Sequence, residues 1–188
     1  MARERNRRPK FMRRKEEHQS GDPCPFCPGN EHLSKEIRRY ESQGCWQVRV
    51  VANSYPAMQV EGVISRNPHG VFDRVSGIGA HEVVIETPEH GEDLPDWSRE
   101  HSILVWKAYR ERMADLERDF RLRCIMMFKN SGLMAGASLD HPHGQILASP
   151  VTPPAVEQML TSAYEYFIEK ERRSEEHTSE LQSRLHLV

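Results

Sequence analysis

The chain has 188 residues, of which 37% are hydrophobic and 29% charged, and its formal net charge is -2. That length suits one domain with a sizeable core, and the composition lies outside the low-hydrophobicity, high-charge range in which chains stay disordered. No apolar run nears the roughly 20 residues that cross a bilayer, and no apolar segment follows the charged start. Neither a membrane span nor a secretory signal is expected, and the expected address is cytoplasmic.

In chain order, residues 1–17 carry eight Lys or Arg against three Glu, a stretch that should attract anions or remain a solvated basic tail. No aromatic interleaving or groove-reading motif accompanies it, so nucleic acid is not an expected partner. The next segment, GDPCPFCPGN at 21–30, has three prolines and two glycines and must be a loop. WQVRVVA at 46–52 alternates apolar and polar residues and reads as a half-buried strand, broken at Pro56. Residues 64–80, with Pro68 and several glycines, read as a mobile connection with at most short strands. HEVVIE at 81–86 is a second strand, stopped at Thr87-Pro88.

Between Ser98 and Phe120 the apolar residues Ile103, Trp106, Tyr109, Met113, Leu116 and Phe120 recur at three- and four-residue steps, predicting a long helix with Ser98 as its N-cap. CIMMF at 124–128 reads as a buried strand, NSGLMAGASLDHPHG at 130–144 as a loop of small residues, and 145–148 as a short strand. Pro153 and Pro154 open a second helix through Val156, Leu160, Tyr164 and Phe167, ending at or beyond Arg172. Strands joined by hairpins and loops outnumber helices, so the expected class is α+β with an antiparallel sheet and packed helices. From Arg173 the stretch RSEEHTSELQS looks like a translated sequencing adapter. The expected domain is therefore 1–172, with 173–188 a non-native tail and natural sequence lost after Arg172.

Four cysteines in this length do not suggest a disulfide framework. Cys24 and Cys27, at CxxC spacing in a turn, can grip one metal ion, and a thioredoxin-like redox pair is the alternative. His18, His32, His69 and His101 read as ordinary surface residues, whereas His90 directly follows a strand end. His141-Pro142-His143 holds two imidazoles on defined vectors, because proline fixes its own φ and extends the residue before it. Such a pair serves as a two-histidine metal clip, or divides its roles between metal ligation and nucleophilic attack. Asn130, Ser131, Gly132, Gly136 and Ser138 precede it with backbone N–H groups and short polar side chains suited to a phosphate. Gln145 follows, able to hydrogen-bond a phosphoryl oxygen without acting as a base.

The blocks ERNRRP (4–9), CPFCPGNE (24–31), ANSYPA (52–57), GAHEVVIETPEH (79–90) and NSGLMAGASLDHPHGQI (130–146), taken together, resemble the galactose-1-phosphate uridylyltransferase family of the histidine-triad superfamily. The resemblance implies a histidine-triad-like sheet and a histidine, here His143, that attacks the α-phosphate of a nucleotide sugar before an acceptor phosphate takes the nucleotidyl group. It also implies zinc on Cys24, Cys27, His90 and His141. Arg5, Arg8, Asn53, Asn130, Ser138 and Gln145 would contact substrate, with Gln145 standing where hydrolytic branches of the superfamily carry a third histidine. The implied partners are UDP-glucose and a hexose 1-phosphate, and the implied full-length protein is a homodimer with a second, related half. Ser54 stands where some members are acidic, which leaves uracil and adenine both open. Adenylyl transfer or ADP-sugar phosphorolysis is therefore the alternative activity, and a silent, zinc-stabilised nucleotide-binding fragment is the non-enzymatic one.

Overall fold

Residues 24–137 and 139–173 are described by the computed structural model, and the chain divides into two compact units, residues 1–150 and 151–188. In the first unit, strands β1 (Glu36–Ser42) and β2 (Cys45–Ala52) form a hairpin, followed by the short pair β3 (Arg66–His69) and β4 (Phe72–Val75). Then come β5 (Ala80–Ile85), helix α1 (Arg99–Leu116), β6 (Cys124–Phe128) and β7 (His143–Ser149). Five strands make one antiparallel sheet in the order β1-β2-β5-β7-β6, and β3 pairs with β4 separately. The architecture is the expected α+β. Among the described residues no helix is long and apolar enough to cross a membrane.

The pleat of the sheet separates two environments, since successive side chains on a strand point to opposite faces. On one face Val48, Val50, Val84 and Ile146 pack with Val105, Ala108 and Tyr109 of α1. Each of the four sheet residues is wholly buried, worth about 1.5–3 kcal/mol per side chain relative to exposure. The opposite face carries Trp46, Val51, Val83 and Ile85 under Phe26, with Cys24 and Leu139 against them. Register puts His81, Gln145 and His143 on this second face, because His81 pairs with Leu147, Val83 with Gln145 and Ile85 with His143.

Several elements differ from the sequence expectation. Strand β1, EIRRYES, was not anticipated, because only Tyr40 of its seven residues is buried and an edge strand need not alternate in hydrophobicity. Strand β7 begins at His143 rather than at Gln145, so the second histidine of HPH lies on the sheet and not in the loop. Helix α1 starts as predicted, with the His101 N–H donating to Ser98 Oγ at 3.1 Å. It ends at Leu116, leaving Phe120 exposed, and it buries Val105, Ala108, Tyr109 and Arg112 while Ile103 and Trp106 face outward. The reason is Arg112, whose Nε and Nη2 donate to Glu82 Oε2 and Oε1 at 2.9 and 2.6 Å inside the sheet–helix layer. A periodicity read from apolar residues alone cannot register that buried ion pair.

In the second unit, helix α2 (Pro154–Lys170) has Pro153 as N-cap and Glu171 in the left-handed region as C-cap. It stops at Lys170 rather than at or beyond Arg172, and none of its residues is buried. The tail from 174 onward, which holds most of the adapter-like stretch, lies outside the described residues.

Candidate metal centre and reactive histidine

A tight turn presents the two thiols: the Cys27 N–H donates to the Cys24 carbonyl, and the Asn30 side chain donates to that carbonyl at 2.9 Å. Cys27 Sγ lies 3.2 Å from His90 Nδ1 and 3.6 Å from His141 Nδ1, and Cys24 Sγ lies 3.8 Å from His141 Nδ1. All four ligand atoms fall within 4.8 Å of one another. His141 is fully buried, and its Nε2–H donates to the Thr87 carbonyl at 2.8 Å, which leaves the Nδ1 lone pair aimed at the thiols. Burial first, then the Cys24 sulfur, pushes the Cys27 thiol up to about 11. A bound cation is the species that would convert such a thiol to thiolate. The donor set of two sulfurs and two imidazoles, oriented in advance, fits a four-coordinate metal ion with no position left open.

His143 stands beside this cluster at the start of β7. Its Nδ1–H donates to the His141 carbonyl at 2.8 Å, so in the neutral ring the lone pair is on Nε2. The residue is buried, with the Phe26 ring edge-on at 5.3 Å between centroids. Burial holds its imidazole below the usual range, against the opposing pull of the His141 carbonyl. Two charges bear on it in opposite senses, Glu86 raising and Lys129 lowering its basicity.

Two residues along, Gln145 meets the segment after β2. Its Oε1 lies 2.8 Å from His81 Nε2 and 3.4 Å from Asn53 Nδ2. Asn53 itself is tied to β5 by its N–H, which donates to the His81 carbonyl at 3.0 Å. Asn130 lies two residues past the end of β6 and is half-buried. Its neighbour Lys129 donates to Glu86 Oε2 at 2.5 Å and to Asp93 Oδ1 at 2.7 Å, with its ammonium 5.3 Å from the Trp97 ring centre. Glu86 also accepts from the Tyr109 hydroxyl at 2.8 Å. These bonds lock the start of the 130–142 loop to the segment that carries Thr87 and His90.

The profile for the N-terminal domain of galactose-1-phosphate uridyl transferase matches residues 4–153. The chain belongs to this family. An ADP-glucose phosphorylase of Arabidopsis thaliana is 35% identical over 150 residues, covering 78% of this chain and 43% of the relative. A galactose-1-phosphate uridylyltransferase of Thermotoga maritima is 28% identical over 150 residues, covering 79% of this chain and 44% of the relative. Among solved structures, an Arabidopsis thaliana ADP-glucose phosphorylase with bound ADP-glucose superposes with a TM-score of 0.69 at 30% identity, covering 86% of this chain and 50% of that one. The chain thus spans less than half the length of the curated relatives it matches.

Within this uridyl transferase domain, the residues singled out in the sequence fall into three groups. Cys24, Cys27, His90 and His141 meet in one cluster. His143, Gln145 and Asn53 lie on the opposite face of the sheet from α1, and Asn130 lies just beyond β6. Arg5, Arg8 and Ser138 lie outside the described residues. Sequence reasoning missed Phe26, which packs on both His141 and His143. It also passed over His81, Glu86, Tyr109 and Lys129. His81 and Glu86 were read only as ends of a strand, and the available signal was polar side chains in an apolar run: on a strand whose six residues are all buried, His81 and Glu82 need partners, and so does the buried Glu86 just past its end.

Proposed function

We propose that this chain carries the nucleotidyl-transfer site of a galactose-1-phosphate uridylyltransferase-like enzyme and that His143 is its nucleophile. One observation carries the reading: His143 donates Nδ1–H to the carbonyl of His141, which frees Nε2 as a buried, neutral nucleophile on a fixed strand. In the first step Nε2 attacks the α-phosphorus of a nucleoside diphosphate hexose. A P–N bond forms, the P–O bond to the hexose phosphate breaks, and hexose 1-phosphate departs with the electron pair. In the second step a phosphate oxygen of the acceptor attacks, the P–N bond breaks, and the ring recovers its lone pair. No proton need enter or leave either step.

Gln145 donates an amide N–H to the transferring phosphoryl group, and having no titrating proton it supplies no base to activate water. Asn130, Ser138 and the basic residues Arg5 and Arg8 bind phosphates, and Asn53 faces the nucleoside. Cys24, Cys27, His90 and His141 would hold a zinc ion with no open position, which would supply structural cross-linking and no chemistry to the transfer. These four ligands would thereby tie the CxxC turn and the 87–90 segment to the residue whose carbonyl orients His143.

The donor we infer first is UDP-glucose, with galactose 1-phosphate as acceptor, on the strength of the family. A second reading, adenylyl transfer from ADP-glucose to a phosphate acceptor, is favoured by the 35% identity to an ADP-glucose phosphorylase against 28% to the Thermotoga enzyme. Mass spectrometry after brief exposure to each nucleotide sugar separates them. A uridylyl or adenylyl adduct on His143 identifies the donor. An adduct on another residue, or transfer unchanged in His143→Ala, overturns the mechanism.

A further inference from the structure

From the hydrogen bonds around Gln145 we infer that His81 is a positioning residue that fixes which end of the Gln145 amide faces the transferring phosphoryl group. The inference rests on the nucleotidyl-transfer reading, but its geometry stands independently. It begins with two backbone N–H groups in the turn after β2. The Tyr55 N–H donates to Asn53 Oδ1 at 2.8 Å, so the other end of Asn53, Nδ2, is turned to the sheet. The Ala57 N–H donates to His81 Nδ1 at 3.0 Å, so that nitrogen holds a lone pair and the proton of the neutral ring sits on Nε2.

Both donors then converge on one atom. His81 Nε2–H points to Gln145 Oε1 at 2.8 Å, and Asn53 Nδ2 reaches the same oxygen at 3.4 Å. The remaining approach, 3.2 Å between Asn53 Nδ2 and His81 Nε2, sets one N–H group against another and is not a hydrogen bond in this tautomer. An amide that meets two donors at one end presents its oxygen there and its NH2 at the other. Register makes the arrangement rigid, since His81 and Gln145 sit diagonally on adjacent strands of one sheet face and Phe128, opposite Gln145 on β6, lies against the His81 ring.

The consequence for transfer is electrostatic. A glutamine turned the other way would bring a carbonyl oxygen up to a phosphoryl oxygen that gains negative charge, and repel it. His81 is 6% exposed, so bulk water has little access to replace its donor. The turn 53–57 is thereby a template: it sets the tautomer of a histidine, and the histidine sets the face of a glutamine.

Two measurements test this. In long-range 1H–15N spectra of the metal-loaded chain, His81 should appear as the Nε2–H tautomer at neutral pH, and Gln145→Ala should shift its Nε2–H resonance. An Nδ1–H tautomer, or an imidazolium, overturns the proposal without reference to activity. In single-turnover labelling with a nucleotide sugar, His81→Leu should slow adduct formation about tenfold with little change in half-saturation, as expected for one lost hydrogen bond. His81→Gln, which keeps a donor at the same place, should recover most of the rate. In the Gln145→Ala background His81→Leu should cost nothing further. An equal cost in both backgrounds also overturns the proposal. If the unaltered chain forms no adduct with any nucleotide sugar, the transfer reading fails, and the role of His81 in transfer fails with it, while the tautomer spectrum still decides the orientation.

Discussion

A Cβ on Gly144 would collide with the hydroxyl of Tyr109. The glycine of HPHG is therefore a packing residue, present so that α1 can bring Tyr109 and its partner Glu86 flat against β7 between His143 and Gln145. Gly144→Ala should destabilise the fold by about 1–3 kcal/mol through overpacking, read as a lowered midpoint in urea unfolding. Adding Tyr109→Phe removes the nearest atom and should recover part of the loss. An unchanged midpoint in the single variant would contradict this packing.

The metal centre makes a second prediction. The purified chain should hold about one equivalent of zinc, and Cys24→Ser should lose it together with much of the thermal stability, since ligand assembly and folding are coupled. Metal analysis and a melting curve decide the matter. Zinc retained in His90→Ala but lost in His32→Ala would show that the cluster has been assigned the wrong fourth ligand.

His143 and His141 should fail differently. His143→Ala should abolish covalent labelling and keep the metal, whereas His141→Ala should lose both, because it removes a ligand and disturbs the carbonyl that orients His143. The pH dependence follows from burial. Attack needs the neutral ring, and a depressed value keeps the ring neutral to lower pH than a free imidazole, so labelling should persist through about 6.5 and decline only in more acidic buffer. Loss of labelling at a pH above that value would contradict the direction given by burial.

The Arg112–Glu82 pair supports a fourth prediction. Both side chains are buried, and Arg112→Met leaves the Glu82 carboxylate without its bidentate partner. The expected cost is about 3–5 kcal/mol. Combining it with Glu82→Leu should return most of the stability, because a well-packed apolar pair avoids the desolvation of both charges. Additive losses in the double variant would show that the two residues do not act as a unit.

Much of the site was legible because its chemistry is local in sequence. CxxC in a proline-rich turn and HPH ahead of a strand both carry their meaning within a few residues, and the class of fold followed from strand and helix periodicity. What stayed hidden depends on partners far along the chain. The tautomer of His81 is set by an N–H 24 residues away, and the inward face of α1 is set by a carboxylate on β5 that pairs with Arg112. Strand β1 escaped notice for a different reason: its register with β2, not its own polarity pattern, holds it in the sheet.

The alternation along β5 has a consequence for how the chain can misfold. His81, Val83 and Ile85 face the side of His143 and Gln145, while Glu82 and Val84 face the helix. A slip of one residue against β7 exchanges the two sets. It would turn the Glu82 carboxylate toward the face where the proposed transfer would bring an anionic phosphate, and it would leave Arg112 with Asp115 alone as counter-charge. The same slip removes the donor to Gln145. If the proposed transfer holds, a misregistered sheet is doubly penalised, by buried charge within and by repulsion of a nucleotide without, and a phosphate-bearing ligand added during refolding should enrich the correctly threaded form.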